Sequence, residues 1–189
     1  PLTTSTEGQT QNPVLFIFLG ASNLARSFHG LKYCIERCIF PRPAIFMHAM
    51  GPGRGYLSRG GILNAVYSPI LNCGILEAVR NKKIKDLSVV ALITDIGNDI
   101  MYGVSSEKII DGLQYLLNAL GEFKTNIFIT SIPVDLENDI SELHFHIIRQ
   151  IYFPKSPVKY SQASNNIKAI NKFILQSSKK KITVINDMK

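Results

Sequence analysis

The sequence predicts an α/β fold in which helices cover both faces of a central parallel sheet of five strands. Two observations indicate this fold. Short apolar runs alternate with segments whose apolar side chains recur at helical spacing. The apolar runs are nearly continuous, as is typical of strands buried on both faces of a parallel sheet. At 189 residues, the chain is long enough to form one domain with a substantial core.

The predicted elements follow one another in regular order. The first apolar run ends at a turn of small residues, and a helical pattern follows it. The third helix has its own signals, because Ser105 or Ser106 can cap its start and Gly121 can end it. The predicted strands are Val14–Leu19, Ala44–His48, Leu87–Thr94, Asn126–Ser131 and Ile182–Ile185. The predicted helices are Asn23–Cys38, Ser68–Arg80, Ser106–Gly121, Ile140–Ile151 and Gln162–Ser177.

Composition narrows the classes of function. Residues 1–13 are predicted to be a loose polar arm, and residues 14–189 a single domain. The formal net charge is +7, but the lysines cluster in short runs before predicted strands, and no basic stripe is interleaved with aromatic residues. We therefore expect no nucleic-acid partner. No apolar run approaches the roughly 18 residues of a membrane span. Three cysteines form no complete disulfide framework, which favours a reducing, cytoplasmic setting.

Three polar turns are predicted at the carboxyl ends of the first three strands, where ligands bind in open α/β sheets. The first contains Ser22, which a helix N-cap role would also explain. The second is an eleven-residue loop, Gly51 to Gly61, with five glycines and no phosphate-binding pattern; a flexible surface loop is its alternative. The third runs from Thr94 to Gly103 and contains Asn98, which turn chemistry alone would also explain.

Acyl transfer is the chemistry that needs these three turns together. A serine hydroxyl attacks a carbonyl carbon, and the oxyanion that forms needs donors about 3 Å away. The Ser22 backbone N–H, a glycine N–H from the second turn and the Asn98 side-chain amide would supply three donors.

In these turns the chain resembles the SGNH (GDSL-like) hydrolases, over a stretch from about Val14 to Asp187. The segments that carry the resemblance are Gly-Ala-Ser-Asn-Leu at 20–24, the glycine loop, and Ile-Gly-Asn-Asp at 96–99. The resemblance implies a flavodoxin-like three-layer α/β/α sandwich with a serine nucleophile. Taken with their neighbouring residues, the same segments resemble those of a bacterial subgroup of the family whose substrate is poorly defined. The implied site residues are Ser22, Gly53 and Asn98 as catalytic residues, and Gly55, Asn23 and Asp99 beside the substrate, with Gly55 as the reserve oxyanion donor.

The chain departs from the family pattern in three places. Ala21 replaces an aspartate in the first segment, and Ile96 replaces a glycine in the third. The family also supplies a general base in an Asp-x-x-His segment after the last strand, and no histidine follows that strand here. His48 is the best placed of the four histidines to substitute, and Asp187 is a weak start for the missing segment. We expect the natural chain to continue beyond Lys189 with the base.

The predicted function is hydrolysis of an ester or thioester, or acyl transfer, through an acyl-enzyme on Ser22. No cofactor or metal is expected, and the partner is a small-molecule ester; the sequence leaves the oligomeric state open. One alternative is a binding module of the same fold that never had the base. Another alternative is a nucleotide-binding or signalling domain. Asp95 is a weak candidate for its phospho-acceptor, and absorbance by bound flavin would distinguish this alternative from a hydrolase.

Overall fold

In the computed structural model, which describes residues 12–62, 65–82, 87–179 and 181–186, the central feature is one parallel sheet. Its strands are β1 (Val14–Leu19), β2 (Ala44–Ala49), β3 (Ser88–Ile93), β4 (Asn126–Thr130) and β5 (Ile182–Ile185). The order is β2-β1-β3-β4-β5, and each neighbouring pair is parallel. This is the flavodoxin-like strand order. The predicted fold class is confirmed.

Seven α-helices and a short 3-10 turn, Ile70–Asn72, connect the strands within the described ranges. The helices are α1 (Ser22–Ile39), α2 (Ile75–Asn81), α3 (Asn98–Met101), α4 (Ser106–Gly121), α5 (Leu136–Asp139), α6 (Glu142–Tyr152) and α7 (Tyr160–Gln176). None of them, within the described part of the chain, has the length and hydropathy to cross a bilayer.

The sheet separates two apolar cores, and β1 contributes to both. Every residue of β1 is buried. Because successive side chains point to opposite faces, Phe16 and Phe18 pack with the apolar side of α1, while Leu15 and Ile17 pack with α2, α4 and α7. Helices therefore cover both faces of the central strand, as the continuous apolar run predicts.

One of the predicted helices is wrong in extent, for a local backbone reason. The prediction of one helix over Ser68–Arg80 fails because Gly74 adopts φ +81°, a left-handed conformation that separates the 3-10 turn from α2. The prediction of Ile140–Ile151 matches α6 to within two residues, because Ser141 accepts a hydrogen bond from the His144 N–H and caps the helix start, whereas the short helix α5 is not among the predicted elements. Other boundaries shift by one or two residues. Most of the predicted arm, as well as Asp187, lies outside the described residues.

Candidate active site

The first three strands end at the same level, so the turns that follow them lie side by side. In the sheet register, Leu19 pairs with both Ala49 and Ile93, the last residues of β2 and β3. Two further hydrogen bonds extend this register, from the Gly20 N–H to the Ala49 carbonyl and from the Thr94 N–H to the Leu19 carbonyl. The sheet therefore places the serine turn between the other two.

Asp95, in the third turn, caps the start of α1. One carboxylate oxygen accepts the Ala21 N–H at 2.9 Å and the Leu24 N–H at 3.1 Å, and the other accepts the Asn23 side-chain amide at 2.8 Å. Asp95 holds this position with φ +58°, a left-handed backbone that aspartate tolerates better than most residues. A carboxylate at a helix N-terminus also complements the helix dipole.

This cap changes the role open to Ser22. The alternative that Ser22 is a helix N-cap is wrong, because α1 begins at Ser22 itself and the carboxylate of Asp95 does the capping. Within the described residues, the Ser22 hydroxyl and backbone N–H have no hydrogen-bond partner. Ser22 is half-buried. Both of its polar groups are thus left available to a ligand.

Asp99 organises the glycine loop. Its fully buried carboxylate accepts backbone N–H groups from Tyr56 at 2.6 Å, Leu57 at 3.2 Å and Ser58 at 2.8 Å. Burial raises the pKa of Asp99, and these N–H donors oppose the rise. A Cβ at Gly55 would lie 2.6 Å from the Asp99 carboxylate, so this position needs glycine for close approach. The carboxylate of Asp99 therefore lies beneath the loop and away from solvent.

Asn98 and Tyr102 join the third turn to Gly53. The Asn98 side-chain amide donates to the Arg54 carbonyl at 3.0 Å, and the Tyr102 hydroxyl donates to the Gly53 carbonyl at 2.6 Å. Gly53 itself has φ +70°, and a Cβ there would lie 2.6 Å from Ile62. These bonds hold the carbonyl groups of Gly53 and Arg54, and they leave the second amide hydrogen of Asn98 without a partner among the described residues.

Tyr56 connects the loop to the sheet beneath it. Its side chain is buried, and its hydroxyl lies 2.8 Å from the Leu19 carbonyl and 2.7 Å from the Thr94 carbonyl. Burial raises its pKa well above the ordinary range, so the hydroxyl stays protonated and donates. Tyr56 thus fastens the glycine loop at the junction of β1 and β3.

The six site residues predicted from sequence fall into two linked groups. Ser22 and Asn23 belong to the group held by Asp95, whereas the other four lie around the glycine loop and α3: Gly53, Gly55, Asn98 and Asp99. Sequence reasoning missed Tyr56 and Tyr102 because their partners lie more than 35 residues away in the chain. The sequence does contain a signal for Asp95 as a site residue, because Asp95 follows the last residue of the buried strand β3 by two positions.

A cavity of about 210 Å³ adjoins the start of α1. It lies at the carboxyl ends of β3, β4 and β5. Its lining residues are Asn23, Thr94, Asp95, Ile96, Gly97, Thr130, Ser131, Ile132, Pro133 and Ile185. A cavity at this edge of an open α/β sheet is where a ligand is expected.

None of the four histidines contacts Ser22. His48 is exposed at the edge of the sheet with its ring 5.1 Å from that of Phe28, and His29 contacts the same ring at 5.8 Å. Since Phe28 is six residues beyond Ser22 on α1, this cluster lies about 9 Å along the helix axis from the serine. His144 and His146 contact only neighbours on or beside α6. The proposal of His48 as a substitute base therefore has no contact that supports it.

Comparison with known proteins gives matches among solved structures alone. No family model matches the chain, and no curated protein matches it. A GDSL-like lipase from Bacteroides thetaiotaomicron aligns at 13% identity and a TM-score of 0.49, over 91% of this chain and 67% of that one. A mutant of the esterase AlinE4 aligns at 14% identity and a TM-score of 0.45, over 86% of this chain and 73% of that one. The acetyl xylan esterase AlAXEase aligns at 8% identity and a TM-score of 0.47, over 90% of this chain and 76% of that one. These three solved structures are a GDSL-like lipase and two esterases.

Proposed function

We propose that this protein hydrolyses an ester or thioester, or transfers its acyl group, through a covalent acyl-enzyme on Ser22. The observation that supports this proposal is that the polar groups of Ser22 have no hydrogen-bond partner among the described residues. The serine stands at a helix start whose cap is supplied by Asp95, so its hydroxyl and its N–H are both unengaged among the described residues.

The proposed reaction begins with attack of the Ser22 oxygen on the carbonyl carbon of the substrate. The serine proton passes to a general base, and the carbonyl electron pair moves onto oxygen. Collapse of this intermediate expels the alcohol or thiol, which takes the proton, and water then releases the acid from Ser22. The base beyond Lys189 stays a prediction.

The oxyanion in this proposal is stabilised by three donors from the three turns. They are the backbone N–H of Ser22, the backbone N–H of Gly53 and the second amide hydrogen of Asn98. Support comes from the hydrogen bonds that fix each turn, because donors held in place before the reaction need no reorganisation during it. Gly55 is the reserve donor on the same loop.

The remaining predicted site residues act by positioning in this proposal. Asn23 gives its amide to Asp95, which orients the start of α1, and Asp99 orients the loop that contains Gly53. The cavity beside Asn23 accommodates part of the substrate.

The experiment that tests the proposal compares hydrolysis of p-nitrophenyl esters by full-length protein and matched variants. We expect Ser22→Ala to abolish turnover and Asn98→Ala to lower kcat by about 10²–10³. The controls are Ser161→Ala and Asn72→Ala, two exposed residues on α7 and the 3-10 turn, which should retain full activity. Full activity in Asn98→Ala would refute the assigned donor. Turnover that survives in Ser22→Ala would refute the proposal, and tight ester binding without turnover would identify a binding module.

A further inference from the structure

Two exposed cysteines lie one turn apart on α1. Cys34 and Cys38 are both exposed, although free cysteine is among the residue types most often buried. Within the described part of the chain, neither thiol has a hydrogen-bond or ionic partner. Cys73 differs, because it is half-buried and its Sγ donates to the Ile70 carbonyl at 3.2 Å. Helix α1 thus presents two unpartnered thiols at the surface.

Helix geometry places the two thiols on the same side of α1. Residues four positions apart on a helix lie one above the other, with Cβ atoms about 5–6 Å apart. A Cβ added at Gly30, one turn before Cys34, would meet no neighbouring part of the described structure within 4 Å, so the surface beside the thiols is open. Lys32 and Glu36 are each two residues from a cysteine, which puts their ion pair of 3.7 Å on the opposite side of the helix. A ligand can therefore reach both sulfur atoms at once.

The spacing of the two thiols favours a bridging metal ion over a disulfide between them. A disulfide needs Cβ atoms about 3.5–4.5 Å apart, which is closer than the helix spacing allows. Two metal–sulfur bonds of about 2.3 Å that lie in a line instead span about 4.6 Å. Rotation about the two Cα–Cβ bonds can bring the sulfur atoms to that separation without any change in the helix.

The number of available ligands indicates which metal ion fits. Soft thiolate ligands select soft cations such as Cu(I), which two sulfur ligands in a line can satisfy. Structural Zn²⁺ sites take four ligands, and the described ranges contain no group of three or more histidine, cysteine, aspartate or glutamate residues that could hold a metal ion. Cys38 also lies in the last turn of α1, which ends at Ile39, and the negative end of the helix dipole attracts a cation there. The pair therefore fits Cu(I) better than Zn²⁺.

Arg37 lies beside the pair and opposes the charge of its thiolates. Its guanidinium lies over the ring of Tyr33, 5.6 Å from the centroid, and Nη1 donates to the Tyr33 hydroxyl at 3.0 Å. Since Arg37 is three residues beyond Cys34, the two side chains are neighbours on the helix surface. Two thiolates around one Cu(I) carry one net negative charge, so a cation held at this position favours the bound state.

We propose that Cys34 and Cys38 form a two-coordinate binding site for Cu(I). On binding, each thiol releases its proton to solvent and each sulfur forms one bond to copper, which keeps its oxidation state. Cys34 lies twelve residues beyond Ser22, about 18 Å along the helix axis, so copper binding is separate from the proposed acyl transfer.

The experiment titrates the reduced full-length protein with Cu(I), without oxygen, in competition with the coloured chelator bicinchoninate. We expect wild type to withdraw one equivalent of Cu(I) per chain. Cys34→Ser and Cys38→Ser should each bind at least about 100-fold more weakly, because changing even a residue that hydrogen-bonds a metal ligand costs about 10–100-fold. Arg37→Gln should bind about twofold to fivefold more weakly. Cys73→Ser is the matched control and should bind as wild type does.

A further variant tests the spacing of the thiols separately from their number. Cys38→Ser/Glu36→Cys keeps three cysteines but places two of them on opposite sides of α1, and it should bind as weakly as Cys34→Ser. Wild-type affinity in Cys34→Ser or in this double variant, with circular dichroism showing folded protein, would overturn the proposal. Failure of the folded, reduced wild type to withdraw Cu(I) would also overturn it, as would half an equivalent per chain with dimerisation in sedimentation equilibrium, which would assign copper to a bridge between two copies. Ser22→Ala should bind copper as wild type does, so this result does not depend on the proposed function.

Discussion

Replacing Asp99 by asparagine tests how the glycine loop is held. In the native structure one carboxylate oxygen accepts the Tyr56 N–H, and the other accepts the N–H groups of Leu57 and Ser58. Asparagine keeps a single acceptor oxygen, and its NH₂ group must face at least one backbone N–H. A hydrogen bond to a charged group contributes about 1.5–3 kcal/mol, and leaving a buried donor unsatisfied costs about 1–3 kcal/mol.

From these contacts we expect Asp99→Asn to lower the free energy of unfolding by about 2–4 kcal/mol. Urea denaturation, monitored by circular dichroism, measures this change. Because the free energy of unfolding falls by about 2 kcal/mol per molar urea, the midpoint of unfolding should fall by about 1–2 M. Asp111→Asn, at an exposed position on α4, is the matched control and should change the free energy by less than about 0.5 kcal/mol. If both variants unfold at the wild-type midpoint, the buried carboxylate does not hold the loop.

Three further predictions concern neighbouring features. Because burial raises the pKa of Asp99 above 3.8, the native state binds the proton more tightly than the unfolded state, so the stability of wild type relative to Asp99→Asn should fall as pH rises from about 4 through the native pKa. A rise in urea titrations at several pH values would contradict this. Gly55→Ala places a Cβ 2.6 Å from that carboxylate and should destabilise the protein, whereas Gly30→Ala, with open space around its Cβ on α1, should stabilise it by about 0.5–1 kcal/mol in thermal unfolding. Asp95→Ala should cost about 0.5–2 kcal/mol through loss of the α1 cap, and an unchanged unfolding temperature would refute that role.

The sequence predicts the sheet well because its strands are defined by local apolar runs. All five predicted strands exist, and the first and last have the predicted bounds. Helix ends are less predictable, because they depend on single backbone conformations. At Gly74 a left-handed residue ends one segment and begins another, which the apolar periodicity of the segment does not reveal.

The candidate site is predictable at the level of its turns and not of its contacts. Turn chemistry identifies Ser22 and Asn98 because they follow buried strands in a parallel sheet. The hydrogen bonds between the turns join residues 38 to 74 positions apart, so no local pattern indicates that Asp95 reaches α1 or that Tyr102 reaches Gly53. The capping role of Asp95 is the contact that most alters the interpretation of Ser22.

Covalent labelling of the full-length natural protein by a fluorophosphonate, read out by intact mass and peptide mapping, shows whether Ser22 is the nucleophile. We expect one adduct per chain, located on Ser22, absent in Ser22→Ala and formed more slowly in Asn98→Ala. Labelling that persists in Ser22→Ala, or no labelling of folded wild-type protein, would contradict a nucleophilic serine at the start of α1.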